Sequence, residues 1–187
     1  LKPGKVSNIW KEFTEYHTSM EFYKEMTEVF GELVPHVDDL TLSPRGWNTG
    51  DDKIGTDCQT VMHQPIDFSS RTAHIDNPRE IYAALLYMPY KEDQSTGGEF
   101  QIHETYAEIT EVNKNGGREV KEKAGEIVKT IPYKANTLVV FCNNSTRCVH
   151  SVSARKDAVL HRRSVNIIAE FNRAARRKMF EVKENRK

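Results

Sequence analysis

From Cys58 onward the chain is a succession of eight short segments of strand-forming composition, each closed by turn residues. They read CQTVMHQPI (58–66), RTAHID (71–76), IYAALLYMP (81–89), GEFQIHE (98–104), EIVKTIPY (126–133), TLVVFCN (137–143), CVHSVS (148–153) and RRSVNIIAEF (162–171). The sharpest turns between them are STGG (95–98) and NKNGG (113–117). Strands this short, at this spacing, predict an antiparallel barrel or jelly roll. No segment of crossover length and helical period separates them, so a parallel α/β sheet is not expected.

The first 35 residues follow a different period. Trp10, Phe13, Tyr16, Phe22, Tyr23, Met26, Val29, Phe30 and Leu33 recur at steps of three and four. This predicts helix over about 7–34, with a break and a fresh N-cap at Thr18-Ser19 and an end at Gly31 and Pro35. The aromatic stripe is a packing face. The stretch 36–56 is dense in Gly, Pro, Asn and Asp and reads as loop. The resulting expectation is one mainly β (α+β) domain over 1–187. It has a helical buttress at 1–35, a β core at 57–172 and a basic C-terminal tail at 173–187.

Balanced charge narrows the partners. Lys+Arg and Asp+Glu both number 27, so nothing global calls for nucleic acid or an anionic membrane. Arg173, Arg176, Arg177 and Lys178 read as a solvated helix face rather than a nucleic-acid patch. No apolar run reaches the length of a membrane span, and LKPGKVSNIW lacks the apolar core of a signal peptide. The three cysteines, Cys58, Cys142 and Cys148, form no disulfide framework. A reducing compartment, the cytoplasm, is the expected location. Oligomeric state is not legible.

One short stretch carries chemistry. In SSRTAHIDNP, His74 and Asp76 stand two residues apart. In a strand, such residues point the same way and present an imidazole beside a carboxylate. A jelly roll gathers distant strands at its mouth, so a third metal ligand belongs far along the chain, and His150 is the best placed. Two histidines and a carboxylate on one face of a metal form the facial triad of non-haem Fe(II) oxygenases, leaving positions open for small molecules. The co-substrate 2-oxoglutarate chelates such a metal, and its far carboxylate needs a buried cation with a fork of donors. On the last strand Arg162, Ser164 and Asn166 alternate with Arg163, Val165 and Ile167. Arg162 and Ser164 are therefore the expected anion clamp, with Arg163 replacing Arg162 if the register is displaced by one. His63, His103 and His161 show no partner pattern, although His103 stands just past the Gly-Gly turn. Gln59 and Met62 lie on an early strand and receive no role.

Taken in order, HIDNPREIYAALLYMP, STGGEF, NTLVVFCNNSTRCVHSV and RRSVNI resemble the Fe(II)/2-oxoglutarate-dependent oxygenases, most nearly their prolyl-4-hydroxylase-like branch. The resemblance spans about residues 57–172. It implies a double-stranded β-helix holding Fe(II) on His74, Asp76 and His150. It also implies 2-oxoglutarate and O₂ as co-substrates, with ascorbate as an auxiliary reductant. The implied reaction hydroxylates an unactivated C–H bond and releases succinate and CO₂. It gives Tyr87 a hydrogen bond to 2-oxoglutarate, with core packing as the other reading of that residue. The chain departs from collagen-type prolyl hydroxylases by Arg at the co-substrate position, where they carry Lys. Because Asp76 is present, the halide position of the halogenating members is filled. The substrate, a small molecule or a peptidyl side chain, is not legible; its recognition is expected in loops 43–57, 90–97 and 104–130. Two other readings remain. One is a cupin-type metal-binding barrel enzyme that does not use 2-oxoglutarate. The other is a non-catalytic binding module.

Overall fold

Two short helices form where the aromatic stripe predicts them. The computed structural model describes residues 6–38, 40–42, 54–67, 71–76, 79–104, 111–112, 118–119, 125–143 and 148–171. Helix α1 spans Asn8–His17 and α2 spans Met20–Phe30. The break between them is the predicted cap: the Ser19 hydroxyl accepts from the Phe22 N–H at 3.3 Å. Gly31, at φ +57°, turns the chain out of α2. Phe22, Tyr23 and Met26 put one face of α2 in the core, while Trp10 and Phe13 pack α1 against its margin. The Tyr23 hydroxyl donates to the Pro35 carbonyl at 2.7 Å, and Thr56 Oγ1 donates to the Thr18 carbonyl at 2.9 Å. These two bonds tie the helical pair to the segment after it and to the sheet.

Eleven strands follow among the described residues: β1 Leu40–Leu42, β2 Ile54–His63, β3 Arg71–Ile75, β4 Glu80–Tyr87, β5 Phe100–His103 and β6 Glu111–Val112, then β7 Arg118–Glu119, β8 Ile127–Ile131, β9 Leu138–Cys142, β10 His150–Val152 and β11 Arg162–Phe171. They make two sheets, in the orders β1-β2-β11-β4-β9 and β6-β7-β3-β10-β5-β8. Among the described residues only β1 with β2 is parallel; the other pairings are antiparallel. The mainly β class therefore stands, and each of the eight predicted segments contributes a strand. Two stretches read as loop also hold strands. The 36–56 stretch contains β1 and the start of β2, and the 104–130 stretch contains β6 and β7 before the predicted segment 126–133. The composition of 36–56 hid β1, whose partner Ile54–Thr56 is supplied by tertiary pairing. The tail at 173–187 and the NKNGG turn lie outside the described residues. No helix among the described residues is long and apolar enough to cross a membrane. The three cysteines are free, as expected.

The central strand β11 accounts for the layering. Its ten residues pair with β2 on one side, and Ser164 to Glu170 pair with β4 on the other. Val165, Ile167 and Ala169, with Tyr82 and Ala84 of β4, pack under α2 in one core cluster. The alternate residues Arg162, Ser164, Asn166 and Ile168 face the second sheet across a cavity. Beside that cavity a second cluster of Tyr87, Phe100 and Val139 joins the inner faces of both sheets. One strand thus carries an apolar face toward the helices and a largely polar face inward, as its sequence alternation predicts.

Candidate metal centre

The cavity between the sheets has a volume of about 220 Å³. Its walls include His74, Asp76 and His150 together with Arg162, Ser164 and Asn166. His74 is on β3 and His150 on β10, and these strands pair antiparallel with the two histidines directly opposed. Asp76 is the first residue beyond β3 rather than a member of it. Its carboxylate still returns to the cluster, with Oδ1 3.3 Å from His74 Nε2 and Oδ2 3.2 Å from His150 Nε2. The three ligand atoms lie within 4.8 Å of one another. Two ligands about 2.1 Å from an ion, at right angles to each other, would stand about 3 Å apart, so the carboxylate-to-imidazole spacings suit a shared cation.

Both imidazoles are oriented from behind. His74 Nδ1 meets the Thr72 carbonyl, and His150 Nδ1 meets the Cys148 carbonyl at 2.9 Å. A carbonyl only accepts, so each Nδ1 carries its proton, and in the neutral ring each Nε2 lone pair is turned toward Asp76. Metal-ligating histidines are held in this way, with the far nitrogen donating to a carbonyl or carboxylate. Two lone pairs aimed at a carboxylate repel it unless a cation lies between them. Phe100 stacks on the His150 ring at 5.0 Å between centroids, and Phe141 closes on it at 4.7 Å. Burial alone would push the Asp76 carboxyl up. In the form where both rings are protonated, hydrogen bonds and charge from His150 and His74 outweigh that and hold it below the ordinary carboxylate range; with neutral rings, a bound cation would take that part.

At another part of the cavity wall stands Arg162, 2% exposed. Its Nε donates to the Gly98 carbonyl at 3.1 Å, and its guanidinium carbon lies 5.0 and 4.8 Å from the ring centres of Tyr87 and Tyr133. Among the described residues no carboxylate pairs with it, and its Nη2 has no hydrogen-bond partner. Burial pushes this guanidinium below its usual value. The neighbouring cation Arg155 is neutralised separately: its Nη2 reaches both oxygens of Asp93, at 2.9 and 3.1 Å. The Tyr133 hydroxyl is spent on the Arg163 backbone. The Tyr87 hydroxyl, buried beside Arg162, has no partner of acceptable geometry, and burial pushes it up to about 12. Ser164 lines the cavity, but its hydroxyl donates to Asn166 Oδ1 at 3.0 Å. An anion would therefore meet the Ser164 proton only if that bond exchanged.

Register decides between the two arginines. Arg163 turns to the other face, where its Nε donates to the Met88 carbonyl at 2.9 Å and its guanidinium lies 3.5 Å over the Tyr90 ring. His103 also faces away from the cavity, its Nε2 meeting Ser151 Oγ at 2.7 Å. His161 is not among the cavity walls. Gln59 and Met62 are exposed. Three further polar wall residues, His63, Arg71 and Glu80, have no role in the sequence analysis. His63 offered a weak signal, since it shares its parity along β2 with Gln59, but its pairing with Arg162 is a long-range contact. Glu80 offered none. Burial, then repulsion by Asp76 and Glu170, raises its carboxyl well above the ordinary range.

The Gly-Gly turn holds Arg162 in place. Gly97 and Gly98 sit at φ +82° and +80°. A Cβ on Gly97 would fall 1.9 Å from the Ala154 carbonyl oxygen, and one on Gly98 would meet Arg155 Cγ at 3.3 Å and Arg162 Nε at 3.5 Å. Gly97→Ala combines a backbone collision with a left-handed φ. It should cost at least about 2 kcal/mol, read as a fall of roughly 4–8 °C in thermal unfolding. Gly98→Ala should cost less, because its first contact is a side-chain methylene. Equal melting temperatures for wild type and Gly97→Ala would refute this placement of the turn.

Comparison with protein families, with curated proteins and with solved structures finds no match to this chain.

Proposed function

We propose that this chain is an Fe(II)- and 2-oxoglutarate-dependent oxygenase, built as a double-stranded β-helix, that hydroxylates a C–H bond of a small-molecule or peptidyl substrate and releases succinate and CO₂. One observation carries the reading. A single cavity joins the His74–Asp76–His150 cluster to Arg162, a buried guanidinium with an open Nη2 and, among the described residues, no carboxylate paired with it. A buried cation left without a counter-charge is costly. A site built to receive an anion explains why it is kept.

In this proposal His74 and His150 each offer Nε2 to the iron, and Asp76 offers an oxygen. The Thr72 and Cys148 carbonyls hold the two rings in the tautomer that leaves Nε2 free. Phe100 and Phe141 shield the His150 ring from water. Arg162 receives the far carboxylate of 2-oxoglutarate through Nη2, held to the Gly98 carbonyl through Nε, with the Tyr87 hydroxyl free to add a bond. Bound iron with O₂ and 2-oxoglutarate supplies the oxidising chemistry. A metal-binding barrel that does not use 2-oxoglutarate has no need of the unpaired Arg162.

Chelation is the decisive measurement. Adding 2-oxoglutarate to the anaerobic Fe(II)-loaded protein should produce a visible charge-transfer band. Admitting O₂, with ascorbate present, should then release succinate above a metal-free control, and much less from Asp76→Ala. A folded, iron-loaded protein in which 2-oxoglutarate gives no band would defeat the reading in favour of the metal-binding barrel.

A further inference from the structure

His63 has no place in the clamp so far described, yet it occupies the same part of the cavity. It is the last residue of β2, and the β2–β11 register sets it directly opposite Arg162. Directly opposed residues of an antiparallel pair share a face, and both side chains line the cavity. His63 Nδ1 is buried and has no hydrogen-bond partner, and the same holds for Arg162 Nη2. Two open nitrogens thus stand side by side on one wall. The positive charges of Arg162 and Arg71, added to burial, disfavour the imidazolium. A neutral ring has one N–H to give. Of the described polar groups nearby, Ser164 is bonded to Asn166 and the Tyr133 hydroxyl to the Arg163 backbone.

From this geometry we infer that His63 is a second donor to the anion held by Arg162, so that the clamp grips a carboxylate from β2 as well as from β11. The inference rests on the proposed 2-oxoglutarate site and adds a residue of this chain to it. A carboxylate has two oxygens with about four lone-pair positions. Arg162 Nη2 fills one, and a neutral imidazole N–H on the adjacent strand fills another without adding charge repulsion against Arg162. His63 is therefore a positioning residue for the co-substrate.

The test is a direct titration of 2-oxoglutarate into anaerobic, Mn(II)-loaded protein, which needs no turnover. His63→Phe keeps a ring and loses both nitrogens. It should weaken 2-oxoglutarate about 3- to 10-fold, the worth of one hydrogen bond, with Mn(II) affinity unchanged. His63→Asn puts an amide nitrogen near the place of Nδ1 and should recover most of the loss, which a merely structural ring would not permit. In the Zn(II)-loaded protein, the ¹⁵N resonance of His63 Nδ1 should shift when 2-oxoglutarate binds. If Arg162→Ala weakens binding while His63→Phe is silent, or if Asn is as poor as Phe, the inference is overturned and the oxygenase reading stands. If wild-type protein loaded with Mn(II) binds no 2-oxoglutarate, both fall.

Discussion

His150→Ala is expected to strip the protein of its metal while leaving most of the fold in place. His150 supplies one of the three candidate ligand atoms found among the described residues, and its Nε2 sits 3.2 Å from Asp76. Loss of an outer partner of a ligating histidine already costs about 10- to 100-fold in affinity. Loss of the ligand itself should exceed that, so iron measured after gel filtration should drop from near one per chain to a small fraction. The truncated ring leaves a gap against Phe100 and Phe141, so some stability is also lost. His103→Ala is the control. It lies on the adjoining strand with its ring on the opposite face, bonded to Ser151, and should leave iron content unchanged. Normal iron in folded His150→Ala would remove His150 from the centre.

Arg162→Ala should weaken 2-oxoglutarate by about 2–4 kcal/mol, the cost of truncating one side of a buried charge-assisted pair, or roughly 30- to 1,000-fold in Kd. The sign of the stability change is the more unusual part of the expectation. In the free protein Arg162 is a buried cation with no carboxylate among the described residues, and burial disfavours its charge. Removing it should cost the free protein little, apart from its bond to Gly98 and its packing over Tyr87 and Tyr133. Thermal shift by 2-oxoglutarate should then separate the forms: a rise in wild type, almost none in Arg162→Ala. Arg163→Ala should bind 2-oxoglutarate like wild type, because its guanidinium is spent on Met88 and Tyr90. A damaging Arg163→Ala beside a silent Arg162→Ala would place the inner face of β11 one residue away.

Local signals were enough to locate the parts. Turn residues and strand-forming runs are short-range properties, so all eight predicted segments could be found from the chain alone. The polar and apolar alternation of RRSVNIIAEF already assigned Arg162 and Ser164 to the inner face, because a strand has period two wherever it sits. The break at Thr18-Ser19 was legible for a similar reason, since a cap is a contact between residues three apart. His74 and Asp76 were visible as a pair for the same cause, though the strand ends at Ile75 before the carboxylate is reached.

What tertiary structure decided is whatever depends on contacts between distant residues. The opposition of His74 and His150 comes from the pairing of β3 with β10. The orientation of their rings comes from the Thr72 and Cys148 carbonyls, whose directions follow the local path of each strand. That Ser164 spends its proton on Asn166, that Arg155 rather than Arg162 is neutralised by Asp93, and that His63 opposes Arg162 are equally invisible in the linear sequence. Sequence alone determined which side chains could form the site, because residue type and period are local. The fold alone decided which of their nitrogens and oxygens are already satisfied and which stand open, because a buried polar group is paired or orphaned by its neighbours in space.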